Sequence, residues 1–237
     1  MEVKIAEFLV KLITYLFVYI IIVTIAGSFR AWVAYRWGDD SAANVSMMDL
    51  NPLVHIQPFC IFFLIFFDVA IGHYGEINTT LIMAPYRRIK ITCIYLSSLF
   101  IYSLCALVSL VALIATCGLS AAVQAFFMLG NDDIRTHLYL AHSYPQSSSI
   151  ALMFSFIFVS TAYLSISLGI IDLLFDSATI IRNRILSRQR DAGMSQFYIE
   201  LLIPYLLIII FHGPLRWLMT SLMVVGSYGI ARLVGLG

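Results

Sequence analysis

A helix that binds zinc needs two imidazoles one turn apart with a carboxylate between them. The histidines here, His55, His73, His137, His142 and His212, offer no such pair. They read as hydrogen-bonded residues of loops and helix ends. Proton and ion paths through a membrane use carboxylates set in apolar helices, where a charge facing lipid is costly. Asp68 in FFLIFFDVAIG and Glu200 in FYIELLIPY fit that description, and each could equally face a neighbouring helix or a partner subunit. Ser97-Ser98, Ser147-Ser148-Ser149, Ser165 and Ser167 lack the G-x-S-x-G turn or the Ser-Lys pairing of a nucleophile. Serine in an apolar helix usually bonds back to its own backbone. Cys60, Cys93, Cys105 and Cys117 lie in apolar runs, the last three twelve residues apart. Twelve helical residues rise roughly 18 Å, so neighbours in that series cannot bridge. No G-x-G-x-x-G, Walker loop or haem attachment is present, and the sequence implies no cofactor.

The elements that must position these groups belong in lipid. The chain has 237 residues, 61% hydrophobic and only 11% charged, where a soluble domain carries about 25% charged residues. A net charge of +1 gives no basic field for nucleic acid. The expected partners are lipids and other membrane-protein subunits, and no small-molecule substrate is evident.

The pattern predicts an all-α polytopic membrane protein, a single transmembrane domain over 1–237. About six helices are expected, at about 8–27, 56–73, 91–117, 150–175, 197–212 and 217–235. Runs of this kind approach the ~20 residues that span hydrocarbon. The first is read as a membrane helix rather than a cleaved signal. The second and fifth are short, and the fifth ends at His212-Gly213-Pro214. A short helix at about 119–129 precedes a polar interval, 130–149. With strict alternation, Lys4, Lys11, Arg87, Arg88, Lys90, Arg182, Arg184, Arg188, Arg190 and Arg232 share one side. Arg30, Arg36, Arg135 and Arg216 take the other. An excess of Lys and Arg marks the cytoplasmic side, so both termini are expected on the cytoplasmic or matrix-like face of a bacterial or organellar inner membrane.

Residues 31–58 carry the sharpest signal. Gly38-Asp39 and Asn51-Pro52 are turn pairs, so a re-entrant loop or short hairpin is expected at about 37–58. AWVAYRWGD followed by LNPLVHIQP resembles the site-2 protease family of intramembrane zinc metalloproteases, in its compact branch. The resemblance implies that an HExxH helix stands just before Ala31. Those five positions are Ala26, Gly27, Ser28, Phe29 and Arg30, so both metal ligands and the general base are absent. A guanidinium has no lone pair to donate and stays protonated, which excludes zinc beside Arg30. The family's later motif with a ligand aspartate should fall near LGIIDLLFDSA, where Asp176 or Asp172 is what remains. CIYLSSLFIYS lacks the Gly-Pro and Asn that the family carries there. Charges at membrane depth generally pair inward, so an ion pair between Arg30 and Asp176 is expected where the family holds its metal. The competing reading has Arg30 snorkelling to the interface.

The resemblance therefore implies a catalytically inactive protease-like scaffold, serving as a structural or interaction subunit of a larger membrane complex. A second expectation is a regulator that binds a transmembrane substrate helix along a strand edge of the hairpin, with Asn51, Pro52, His55 and Gln57 as contacts. A third is a small transporter or ion-path subunit using Asp68 or Glu200.

Overall fold

The computed structural model describes residues 2–67, 69–72, 78, 81–83, 85–119, 122–123, 125, 149–186 and 212–234. Helix α1 covers Glu2–Arg36, α2 Ser41–Asn44, α3 Pro52–His55, α4 Pro58–Phe67, α5 Arg87–Cys117, α6 Ser149–Leu186 and α7 His212–Val234. The described residues contain no strand. Segments of α1, α5 and α6, Phe8–Arg36, Arg87–Cys117 and Met153–Ser177, are long and apolar enough to cross a membrane. The described residues are thus helical and connecting segments of a membrane-embedded protein.

Helix α1 runs nine residues past the expected end at 27, because nothing between Gly27 and Arg36 breaks it. It stops where Gly38 adopts φ +99°, a conformation without steric cost only for glycine. There the N–H groups of Trp37 and Asp39 both bond the Ala34 carbonyl, at 3.0 and 3.1 Å. Asp39 is fully buried. Its carboxylate accepts from the Ser41 N–H at 3.1 Å, from the Ser41 hydroxyl and from the Asn78 N–H at 2.8 Å.

The stretch expected as a hairpin forms helical turns, not strands. Asn51 caps α3, its Oδ1 accepting from the Leu53 N–H at 3.1 Å, and Pro52 fills the first turn. A proline there loses no helical hydrogen bond. The Gln57 carbonyl accepts from the N–H groups of Cys60 and Ile61, starting α4. Among the described residues no strand edge is available for a substrate segment.

The second expected span is corrected too. Helix α4 has 10 residues, about 15 Å at 1.5 Å each, half of a hydrocarbon core of about 30 Å. The chain runs down α1 and comes back. The Tyr19 hydroxyl donates to the Ile71 carbonyl at 2.7 Å, at the middle of α1, while Asn78 has returned to Asp39 beyond its end. Ile82 and Ile94 then pack on Ala34, so α5 starts where α1 finishes.

It follows that α5 is antiparallel to α1, and α6 is parallel to it. Phe29 stacks near Phe100, and Tyr15 near Tyr163. Cys117 at the end of α5 donates to Ser155 early in α6 at 3.0 Å. Tyr19, Ile22, Tyr102, Leu113, Leu164 and Leu168 fill the core between the three helices. Arg36, Arg87, Arg88 and Lys90 lie at one end of the bundle with the carboxyl end of α6, and Lys4 and Lys11 lie at the other, whereas strict alternation groups Lys4 and Lys11 with Arg87, Arg88 and Lys90.

Two further boundaries move. Helix α6 continues from the expected 175 to Leu186, so Arg182 and Arg184 are helical rather than in a loop. Helix α7 starts at His212 and includes Gly213-Pro214 in its first turn, where a missing N–H is harmless. The span expected at 197–211, most of the 119–129 helix, and Asp68, Glu200, His73, His137, His142, Arg188 and Arg190 lie outside the described residues.

Candidate functional site

Two buried polar clusters meet on the last turns of α1. In the first, Arg30 projects between α5 and α6. Its guanidinium forks onto Asp176, with Nη2 to Oδ1 at 2.9 Å and Nη1 to Oδ2 at 3.2 Å. Nη1 also stands 3.7 Å from Asp172 Oδ1. Asp172 and Asp176 are four residues apart on a helix and therefore share a face. The Ser98 hydroxyl donates to Asp172, and the Tyr95 ring lies under the guanidinium carbon at 4.9 Å. Arg30 is 6% exposed, Asp172 6% and Asp176 9%. Arginine therefore does not snorkel to the interface.

The sequence left Asp172 and Asp176 as alternatives, and the structure uses both. It missed Tyr95, Ser98 and Tyr102, which lie at i, i+3 and i+7 on the face of α5 turned to α6. That spacing in CIYLSSLFIYS was the available signal.

In the second cluster, His55 of α3 sits against Gly27 and Ser28. The ring is fully buried. Its Nε2 is 3.1 Å from both the Ser28 hydroxyl and the Asp49 carbonyl, and Ser28 donates to the same carbonyl at 2.8 Å. Nδ1 faces Gly27 and has no hydrogen-bond partner. A buried N–H without an acceptor is expensive, so the proton belongs on Nε2, which donates. A Cβ on residue 27 would stand 2.9 Å from His55 Cε1 and nearer still to Nδ1. Glycine is what lets the ring in.

His55 is therefore a buried, hydrogen-bonded packing residue of the segment expected as a hairpin. Asn51 and Pro52 are exposed and Gln57 is half-buried. Ala26 is fully buried in the main core.

A zinc ion of the kind the resemblance implies does not fit these residues. The position of its second histidine holds a guanidinium already paired with two carboxylates, and that of the first holds an alanine. The space of the general base is filled by His55. Among the described residues no three of His, Cys, Asp and Glu are grouped as a metal shell. No hydrolytic step can be derived through a metal here.

The assembled site ties helices together without an evident reactive group. Ion pairing links α1 to α6, a hydroxyl–carboxylate bond links α5 to α6, and His55 fixes the 37–57 segment on α1. No family model matches the chain, and neither the curated proteins nor the solved structures provide a match to it.

Proposed function

We propose that this chain is a catalytically inactive, site-2-protease-like membrane protein that serves as a structural or interaction subunit of a larger membrane complex. The observation that carries the reading is the bidentate Arg30–Asp176 pair. On the resemblance, Arg30 and Asp176 stand at metal-ligand positions, and an ion pair there joins the same two helices without a metal. Buried charge pairs fix geometry more than they add stability, which suits a scaffold.

The membrane arrangement belongs to the same proposal. Helices α1, α5, α6 and α7 cross the bilayer, and α4 with residues 69–72 enters and leaves on one face. The basic end, with Arg36, Arg87, Arg88, Lys90, Arg182 and Arg184, faces the cytoplasm or matrix. The amino terminus then faces the opposite compartment, of a bacterial or organellar inner membrane.

Purification of the full chain in mild detergent, with mass spectrometry of co-purifying proteins and a metal assay, tests the functional reading. Stoichiometric membrane-protein companions and no zinc are expected. A monomer that carries zinc overturns it. The second reading, a regulator that holds a transmembrane substrate helix, keeps some support from the exposed Leu50 and Leu53 beside Asn51, but it loses the strand edge. Crosslinks from Leu53 to a single partner at fixed stoichiometry favour the subunit, and crosslinks to many unrelated helices favour the regulator. The ion-path reading through Asp68 or Glu200 rests on residues outside those described.

A further inference from the structure

Where α1 ends and α5 begins, the bundle shows a surface that suits neither water nor hydrocarbon. Helix α5 has 31 residues, about 46 Å at 1.5 Å each, against a hydrocarbon core of about 30 Å. Centred on that core, it leaves about 8 Å at each end in the headgroup layer. Its first turn, Arg87 to Lys90, lies there beside the last turn of α1, because Ile82, Ile91 and Ile94 pack with Ala34 and Trp37.

This turn is cationic. Arg87 and Arg88 are exposed, Lys90 is half-buried, and Arg36 is exposed at the end of α1. The first turn of α5 holds no acidic residue, and the sequence holds none from Asn78 to Gly130. Of the two aspartates that follow α1, Asp39 is committed to Ser41 and Asn78, which leaves Asp40 as the exposed acid there. Positive side chains at a helix amino terminus also oppose the helix dipole, which favours an anion at that end.

The second observation is apolar. Met83 is 77% exposed, Tyr86 74% and Ile89 61%, and Trp32 and Tyr35 are exposed on the last turns of α1. The Arg36 guanidinium lies 5.9 Å from the Trp32 ring, and the Lys90 ammonium donates to the Met83 carbonyl at 3.3 Å. Large apolar side chains lose by facing water, and Arg87 and Arg88 lose by facing acyl chains. The headgroup layer satisfies both, since aromatic and apolar groups sink to its acyl boundary while Lys and Arg reach back to the phosphates. A zwitterionic headgroup brings its own ammonium to that meeting. An anionic one brings a net negative charge to a turn that carries only positive ones.

We infer that Arg36, Arg87, Arg88 and Lys90 form a docking surface for the headgroup of an anionic phospholipid, with Met83 and Tyr86 resting on its acyl boundary. The surface follows from the spanning helices alone, whichever compartment it faces and whatever subunits accompany the chain.

The test uses the full chain in phosphatidylcholine vesicles doped with either brominated phosphatidylglycerol or brominated phosphatidylcholine. Bromine quenches a tryptophan that touches the lipid carrying it, and Trp37→Phe with Trp217→Phe leaves Trp32 as the sole reporter. Stronger quenching by phosphatidylglycerol is expected. A cation beside a charged membrane surface is worth about a fivefold preference, so Arg88→Gln lowers it about fivefold and Arg87→Gln with Arg88→Gln lowers it by about an order of magnitude or more. Arg87→Lys with Arg88→Lys retains it. Equal quenching by the two lipids, or a preference that survives the double Gln variant, overturns the inference. Loss of the wild-type preference when inorganic phosphate replaces chloride at equal ionic strength assigns the surface to free phosphate and overturns the lipid.

Discussion

Replacing Gly27 by alanine isolates the contact by which α1 receives the His55 ring. In an exposed helix the change gains about 1 kcal/mol of helix propensity. Here the new Cβ would stand 2.9 Å from His55 Cε1 and closer to Nδ1, and the ring cannot swing away cheaply. It is fully buried and held by Ser28 and Asp49. Overpacking of this kind costs about 1–3 kcal/mol. Pulling the ring off its two hydrogen bonds forfeits about 1 kcal/mol each. Against the propensity gain, the net expectation is a destabilisation of about 2–4 kcal/mol.

A double-mutant cycle with His55→Ala makes that number specific. The single His55→Ala variant loses ring packing and its hydrogen bonds, about 2 kcal/mol. In its background the added methyl has room, so Gly27→Ala becomes neutral or stabilising, and the coupling between the two sites is at least about 2 kcal/mol. Equilibrium denaturation in mixed micelles, followed by tryptophan fluorescence, measures all four corners. Wild-type-like or higher stability of Gly27→Ala alone refutes the placement of His55. Additivity of the two losses refutes the contact.

Other perturbations read the remaining contacts. Arg30→Met leaves Asp172 and Asp176 buried without their guanidinium and is expected to destabilise by about 3–5 kcal/mol, measured in the same denaturation series. Arg30→Lys recovers only part, since an ammonium cannot fork onto both Asp176 oxygens. Tyr19→Phe removes the hydroxyl that bonds Ile71 and costs about 1–2 kcal/mol, and hydrogen exchange should accelerate at residues 69–72 more than in α5 or α6. Introducing an HExxH pattern, with Ala26→His, Gly27→Glu and Arg30→His together, is expected to yield no zinc by metal assay and a poorly folded protein. Ala26 is walled by core and position 27 by His55.

What the sequence made legible followed the strength of each local signal. The apolar runs over α1, α5 and α6 announced the bundle, and Gly38-Asp39 announced a turn, although the first helix was expected to end at 27 and not just before that turn. Arg30 and Asp176 were singled out by the resemblance, and their pairing was expected because a charge at membrane depth generally pairs inward. The depth of α4 was not legible. PFCIFFLIFFDVAIG is as apolar as a spanning helix, and it is the contacts of Ile71 with Tyr19, Asn78 with Asp39 and Ile82 with Ala34 that reveal the chain turning back. A hydrophobicity reading cannot tell a crossing from an excursion of the same composition. His55 reads as a hydrogen-bonded loop or helix-end residue, as it is, but its full burial was not legible, because that depends on a missing Cβ 28 residues earlier.

The two clusters share a cause. On α1, Gly27 and Arg30 are one turn apart, so a single stretch of helix receives the 37–57 segment on one side and α6 on the other. The first contact is steric and neutral, and needs the smallest residue. The second is electrostatic and needs the largest cation, because only a long, planar guanidinium reaches both Asp172 and Asp176 while resting on Tyr95. Each residue is unsuited to the other's place. Arginine at 27 would collide with His55, and glycine at 30 would leave two carboxylates without their cation. This stretch therefore locks the re-entering segment and α6 to α1 together, and a change at either position loosens one partner of α1 while leaving the other in place.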